Sequence, residues 1–211
     1  LSGVWQAPNN TSWPVDDEPD LSGVILSRDA GVWSDVTHAG RSGAIFTVRG
    51  AADDDVWICG QAGALVHWDG SALAAVDSGL PRNVPLFTVA GRGAGDVYAV
   101  GGLGNAVALH YDGSAWTRLG DALFADLPNL NGVSVDGDGT AILVGGSGTK
   151  VLGRPGAFTD ESAFATREDL HAASIAAGAI FTVGGNYLAP APTPREGVVA
   201  HFGGDVSSVV R

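Results

Sequence analysis

A motif of about forty residues recurs along this chain, and that periodicity limits the fold more than any other feature. Residues 45–76, 86–119, 130–158 and 170–210 line up as four copies. A glycine closes the second apolar run of each copy, at Gly60, Gly101, Gly145 and Gly184, with spacings of 41, 44 and 39 residues. A second glycine follows the third run at Gly70, Gly113, Gly156 and Gly204, spaced by 43, 43 and 48. Helical repeats of similar period need amphipathic stretches of ten or more residues without glycine, and none occurs here.

Each copy holds four strand-like runs. In the first they are 44–48, 56–59, 64–68 and 73–76. Asp69-Gly70 and Asp112-Gly113 read as hairpin turns, because both central residues tolerate positive φ. The run Val56-Trp57-Ile58-Cys59 is apolar on both sides of the pleat. A strand of that kind is buried on both faces, which a sheet stacked between two others supplies and a two-layer sandwich does not. The pattern therefore predicts an all-β chain, a β-propeller of four-stranded blades. At the N-terminus, Gly3-Val4-Trp5 resembles Asp55-Val56-Trp57, residues 23–29 resemble 63–69, and 32–36 read as an outer strand. The expectation is a three-stranded partial blade over 1–37 and four complete blades over 43–78, 85–120, 129–162 and 169–211. These form one propeller domain or part of one. With the first blade's inner strand missing and only Arg211 after Val210, the chain is expected to be either an incomplete five-blade circle or part of a ring of six to eight blades, the larger ring being favoured.

Composition narrows the partners. The formal net charge is −12, so nucleic acid and anionic membrane surfaces are poor partners, and a protein or glycan ligand is expected instead. No apolar run reaches the ~18 residues that span a bilayer. Cys59 is the only cysteine, so no internal disulfide can form. The chain begins at Leu1, contains no methionine and shows no signal peptide, which reads as a processed chain or a fragment. Ten arginines accompany a single lysine, Lys150. With the alanine and glycine load this suggests a bacterial protein, expected outside the cell or on its surface.

The stretch Asp96-Val97-Tyr98-Ala99-Val100-Gly101-Gly102, followed by Tyr111-Asp112-Gly113-Ser114-Ala115-Trp116, resembles the kelch repeat, with its glycine doublet and its spaced tyrosine and tryptophan. Gly145-Gly146 and Gly184-Gly185 repeat the doublet. Ser27-Arg28-Asp29-Ala30-Gly31-Val32-Trp33 is similar to the Asp-box of sialidase-type propellers, one residue short. The phrasing also looks like propeller repeats of bacterial extracellular proteins. These resemblances imply the fold; across such families the function ranges from lectins and enzymes to pure interaction modules.

Candidate chemistry is sparse. His67, His110 and His201 hold the same place in three copies, but equivalent positions on separate blades do not converge to the ~2 Å of a shared metal. Asp53-Asp54-Asp55 and Asp136-Gly137-Asp138-Gly139 read as turns whose aspartates bond local amides. No nucleophile elbow occurs, and Cys59 reads as a buried thiol. No catalytic residue, cofactor or metal is expected. Trp5, Trp33, Trp57, Trp68 and Trp116 sit at repeat positions and read as packing. Trp13 instead falls in the longest loop, 6–22, beside Asp16 and Asp17. The matching loop, 186–196, carries Tyr187 and Arg195 among prolines. Exposed aromatic and charged residues on stiffened loops suit a binding surface, so Trp13, Asp16, Asp17, Tyr187 and Arg195 form the candidate ligand site. The reading is a non-catalytic recognition or scaffolding module. The competing reading is a carbohydrate-active enzyme whose site lies partly outside this chain.

Overall fold

A computed structural model describes residues 3–9, 11–17, 23–37, 43–120, 122–162, 166–176, 178–186, 194–202 and 208–210. They form five four-stranded antiparallel sheets. The first holds β1 (Gly3–Gln6), β2 (Ser12–Asp17), β3 (Gly23–Asp29) and β4 (Val32–Asp35). The second holds β5 (Ile45–Ala52), β6 (Asp55–Gly60), β7 (Leu65–Trp68) and β8 (Leu73–Ala75). The third runs through β9 (Leu86–Gly93), β10 (Asp96–Gly101), β11 (Val107–Tyr111) and β12 (Trp116–Arg118). The fourth contains β13 (Leu130–Val135), β14 (Ala141–Gly145), β15 (Lys150–Gly153) and β16 (Thr159–Asp160). The fifth contains β17 (Leu170–Ala176), β18 (Ala179–Gly185), β19 (Gly197–Phe202) and β20 (Ser208–Val210). Strands follow chain order within every sheet. Helix among the described residues is confined to short 3-10 turns at Gln61–Gly63, Ala122–Asp126 and Gly146–Gly148.

The first sheet corrects the expected three-stranded blade. Gly3–Gln6 is its first strand rather than its second, and Ser12–Asp17, expected inside a loop, is a strand pairing with both neighbours. Trp13 and Val15, two residues apart and so on one side of the pleat, face the core. Pro14 hid the strand, since a residue without an N–H interrupts a ladder. The pairing to β3 joins Ser12 to Arg28 and resumes at Val15 and Ile25.

The chain divides into two compact units, Leu1–Ala99 with Tyr111–Trp116 and Val100–His110 with Thr117–Arg211, the boundary running through the third sheet. In the first unit, Trp13, Val15 and Ile25 pack on Ile45, Val48, Val56, Ile58, Val66 and Leu73. Each such side chain contributes about 1.5–3 kcal/mol on full burial. All six residues of β6 are buried: Val56 and Ile58 join this core, while Trp57 meets Tyr111 and Trp116. The two-sided burial expected of this strand is present. In the second unit, Ile142 and Val144 pack on Leu170, Ile175 and Ile180, and Asn131 Nδ2 donates to the Leu170 carbonyl at 2.9 Å.

The repeated glycine has a steric cause. In sheets two, four and five the carbonyl just before the first strand approaches the closing glycine of the second. A Cβ on Gly60 would lie 2.2 Å from the Ala44 oxygen, on Gly145 2.1 Å from that of Asn129, and on Gly184 1.9 Å from that of Asp169. Those carbonyls accept the next backbone N–H, from Gln61, Gly146 and Gly185, at 2.8, 3.0 and 2.8 Å. A register shift follows in the first strand each time, after Ile45, Leu130 and Leu170. Gly60→Ala and Gly145→Ala should each lower stability by about 1–3 kcal/mol, because the obstacle is backbone. Gly137→Ala, which meets nothing within 4 Å, should leave the urea midpoint close to the parent's.

Both aspartate-glycine turns form, but only the glycines, Gly70 and Gly113, take positive φ; Asp69 and Asp112 do not, which corrects the expectation that both central residues would. Asp69 Oδ1 accepts the N–H of Ser71 and Ala72 at 2.8 Å each, and Asp112 Oδ1 those of Ser114 and Ala115 at 2.9 Å. The Ser71 and Ser114 hydroxyls donate to the same oxygens at 2.8 and 2.7 Å. These hydrogen bonds, led by the Ala72 N–H at Asp69 and the Ser114 hydroxyl at Asp112, hold both carboxyls down, at about 2 instead of 3.8. A carboxyl depressed in the folded state stabilises above its unfolded pKa, and that contribution fades as pH falls from about 4 toward 2. Asp69→Asn with Asp112→Asn keeps the acceptors and removes the titration. The fall of the denaturation midpoint across this acid range should become shallower than in the parent.

Candidate functional site

Of the five residues expected at the ligand site, Trp13, Asp16 and Asp17 lie on a strand rather than on a loop. Trp13 is buried in β2, its ring 5.3 Å from that of Trp68. Asp16 and Asp17 lie in the same strand, opposite Val24 and Gly23 of β3. Tyr187 lies outside the described residues. Arg195 is exposed on the connection between β18 and β19, whose base is tied where Asn186 Oδ1 accepts the Glu196 N–H at 2.6 Å. The tryptophan that does face solvent is Trp33, expected as packing. It is 54% exposed on the outer strand β4, with the Arg28 guanidinium 5.7 Å from its ring centroid. Strand position decides both cases: β2 is interior to its sheet, and β4 is its edge.

A histidine stacked on an aromatic ring occurs twice at one register position. In sheet two, Trp57 of β6 pairs with His67 of β7, ring centroids 4.1 Å apart and planes 23° from parallel. In sheet five, Phe181 of β18 pairs with His201 of β19 at 4.3 Å and 25°. Both pairs stand three residues before the closing glycine. The surroundings differ. Tyr111 and Trp116 cover Trp57, with centroids at 5.2 and 5.1 Å, and leave it 4% exposed. His67 Nε2 lies 2.7 Å from Oδ1 of the buried Asp55, which makes this histidine a structural strut.

Phe181, by contrast, faces solvent. It is 49% exposed, and the next row of the same face, Val183 beside Val199, is exposed at 43% and 44%. Ala172 and Ser174 of β17 pair with Val183 and Phe181 and extend the surface, both exposed. The matching positions in sheet four, Ile142 and Val144, are buried beneath sheet five. The fifth sheet thus repeats an interior apolar face without a cover among the described residues.

The second unit also contains a cavity of about 280 Å³ lined by Ile142, Leu152, Ile180, Phe202, Lys150 and Glu161. Lys150 occupies the register position of Leu65 and Val199, yet is only 2% exposed. Nothing in the expected site pointed to it. The available signal was a lone lysine opening an apolar run where other copies open with leucine or valine.

His67→Phe should preserve the stack on Trp57 and leave Asp55 Oδ1 without its partner, a loss of about 1–3 kcal/mol. Replacing Asp55 as well should recover part of that loss in a urea double-mutant cycle.

No protein-family model matches the chain, and no curated protein matches it by sequence. Solved structures match its fold. The WD40 β-propeller domain of Doa1 superposes with a TM-score of 0.71 at 11% identity, covering 100% of this chain and 67% of that one. YCF48 from Cyanidioschyzon merolae matches at 0.63 and 15% identity, over 100% of this chain and 70% of the other. YCF48 bound to D1 peptide matches at 0.62 and 15%, over 98% and 69%.

Proposed function

We propose that this β-propeller chain is a non-catalytic protein-interaction module, and that the free face of its fifth sheet receives an apolar sheet surface of a partner protein. The observation that carries the reading is the exposed pair of rows holding Phe181, Val183 and Val199. Contiguous exposed apolar surface on a folded protein marks an interaction site. The occupant's chemistry comes from the same positions one sheet earlier, where Ile142 and Val144 are covered by Leu170, Ile175 and Ile180 of another sheet. Phe181 supplies a large anchor already held in place by its stack on His201, so little ordering cost remains to be met on binding. A propeller matched by this chain in fold also engages a peptide, YCF48 with D1 peptide, which supports a protein ligand over a glycan.

The test is selection of binders from displayed protein fragments of the source organism, followed by affinity measurement. Phe181→Asp should weaken the selected fragments by roughly thirtyfold or more, about 2 kcal/mol, as expected of an anchor residue. Val32→Asp, on an exposed strand of the first unit, should change affinity little. Binders that tolerate Phe181→Asp and Val183→Asp without loss would place the docking surface elsewhere and defeat this reading.

A further inference from the structure

We infer that Lys150 is a carbonyl-capturing amine, which forms a reversible imine with a small apolar aldehyde seated in the cavity beside it. The cavity of about 280 Å³ is walled by Ile142, Leu152, Ile180 and Phe202. A cavity of ~150 Å³ with such a lining already accepts benzene, so an aryl or short alkyl aldehyde has room. Lys150 lies in that wall, buried, and its Nζ donates to the Gly148 carbonyl at 2.8 Å. The Phe202 ring centroid is 5.6 Å away. An apolar residue fills this register position in sheets two and five, as Leu65 and Val199. A lysine here therefore carries a desolvation cost that packing alone does not require.

That environment favours the nucleophile. Burial lowers the Lys150 pKa from its ordinary value, opposed in part by the nearby carboxylates of Asp160 and Glu161. A desolvated lysine holds more of the neutral amine, whose lone pair attacks carbonyl carbon. The Nζ–C bond forms as the C=O π pair moves to oxygen. The nitrogen then gives up its two protons, the oxygen takes them and leaves as water, and C=N remains. No oxidant or reductant is consumed. Glu161, a carboxyl in the cavity wall, is placed to relay protons in the dehydration. Its charge, together with the apolar walls, disfavours an anionic aldehyde such as glyoxylate.

The sequence makes the test clean, because Lys150 is the only lysine among these 211 residues. The folded protein is treated with benzaldehyde and sodium cyanoborohydride at neutral pH, with Nα-acetyl-lysine as internal reference, and adducts are mapped by mass spectrometry. A benzyl adduct on Lys150 is expected to form roughly tenfold faster than on the reference amine. It should disappear in Lys150→Arg and fall in Ile180→Phe, which narrows the cavity while keeping the lysine, with circular dichroism checking that each variant is folded. Modification at an N-terminal amine alone, or at Lys150 only in urea, would overturn the inference by showing the lysine to be a structural strut. Equal labelling by glyoxylate would overturn the apolar specificity.

Discussion

The architecture rests on a backbone contact that leaves no room for a side chain. Where the first strands of sheets two, four and five enter, the leading carbonyl is pressed against the closing glycine of the second strand, at Gly60, Gly145 and Gly184. The following N–H satisfies that carbonyl, and the register shift comes directly after. The contact therefore ends one strand, sets the entry of another and keeps a buried acceptor paired, all in one place. Everything downstream inherits its register, including which residues of β6, β14 and β18 point into a core. A slip of one residue would exchange the two faces of the sheet.

That shared register allows one position to be followed through different surroundings. At the aromatic-histidine pair, sheet two surrounds Trp57 with rings and ties His67 to Asp55, whereas sheet five leaves Phe181 in solvent. At the start of the third strand, leucine and valine give way to Lys150 in sheet four. The repeat supplies the scaffold, and departures from it mark where function is to be sought: a covered face left bare, and a core position given an amine.

Much of this was readable in the order of residues. The glycine spacing, the Asp-Gly turns and the two-sided apolar run at 56–59 each reflect a local rule, backbone clearance, positive φ or burial on both faces, that acts on a few neighbouring residues. The fold and its strand count per repeat followed from them. The first sheet was misread because Pro14 and the following acidic residues resemble a loop, while burial of Trp13 depends on packing against Trp68, 55 positions away in sequence. The exposure of Trp33 and Phe181 was equally hidden, since an aromatic at a repeat position is covered only when a neighbouring sheet reaches it. Lys150 was conspicuous as a lone lysine, but its cavity is formed by side chains from two sheets and has no signature in either alone.

The outermost strands are unusually brief: three residues in β8, β12 and β20, and two in β16. An unpaired strand edge is a template for another chain, and shortening it is one of the ways proteins prevent edge-to-edge polymerisation. With so few free amides in a row, these margins offer too short a ladder to nucleate a cross-β stack. Strand β4 has four residues, all exposed, with Val32 and Trp33 facing water. The terminal Asp35 and the Arg28 guanidinium near the Trp33 ring place charge beside that apolar pair, as gatekeepers do. At this longer margin, charge takes the place that brevity has at the others.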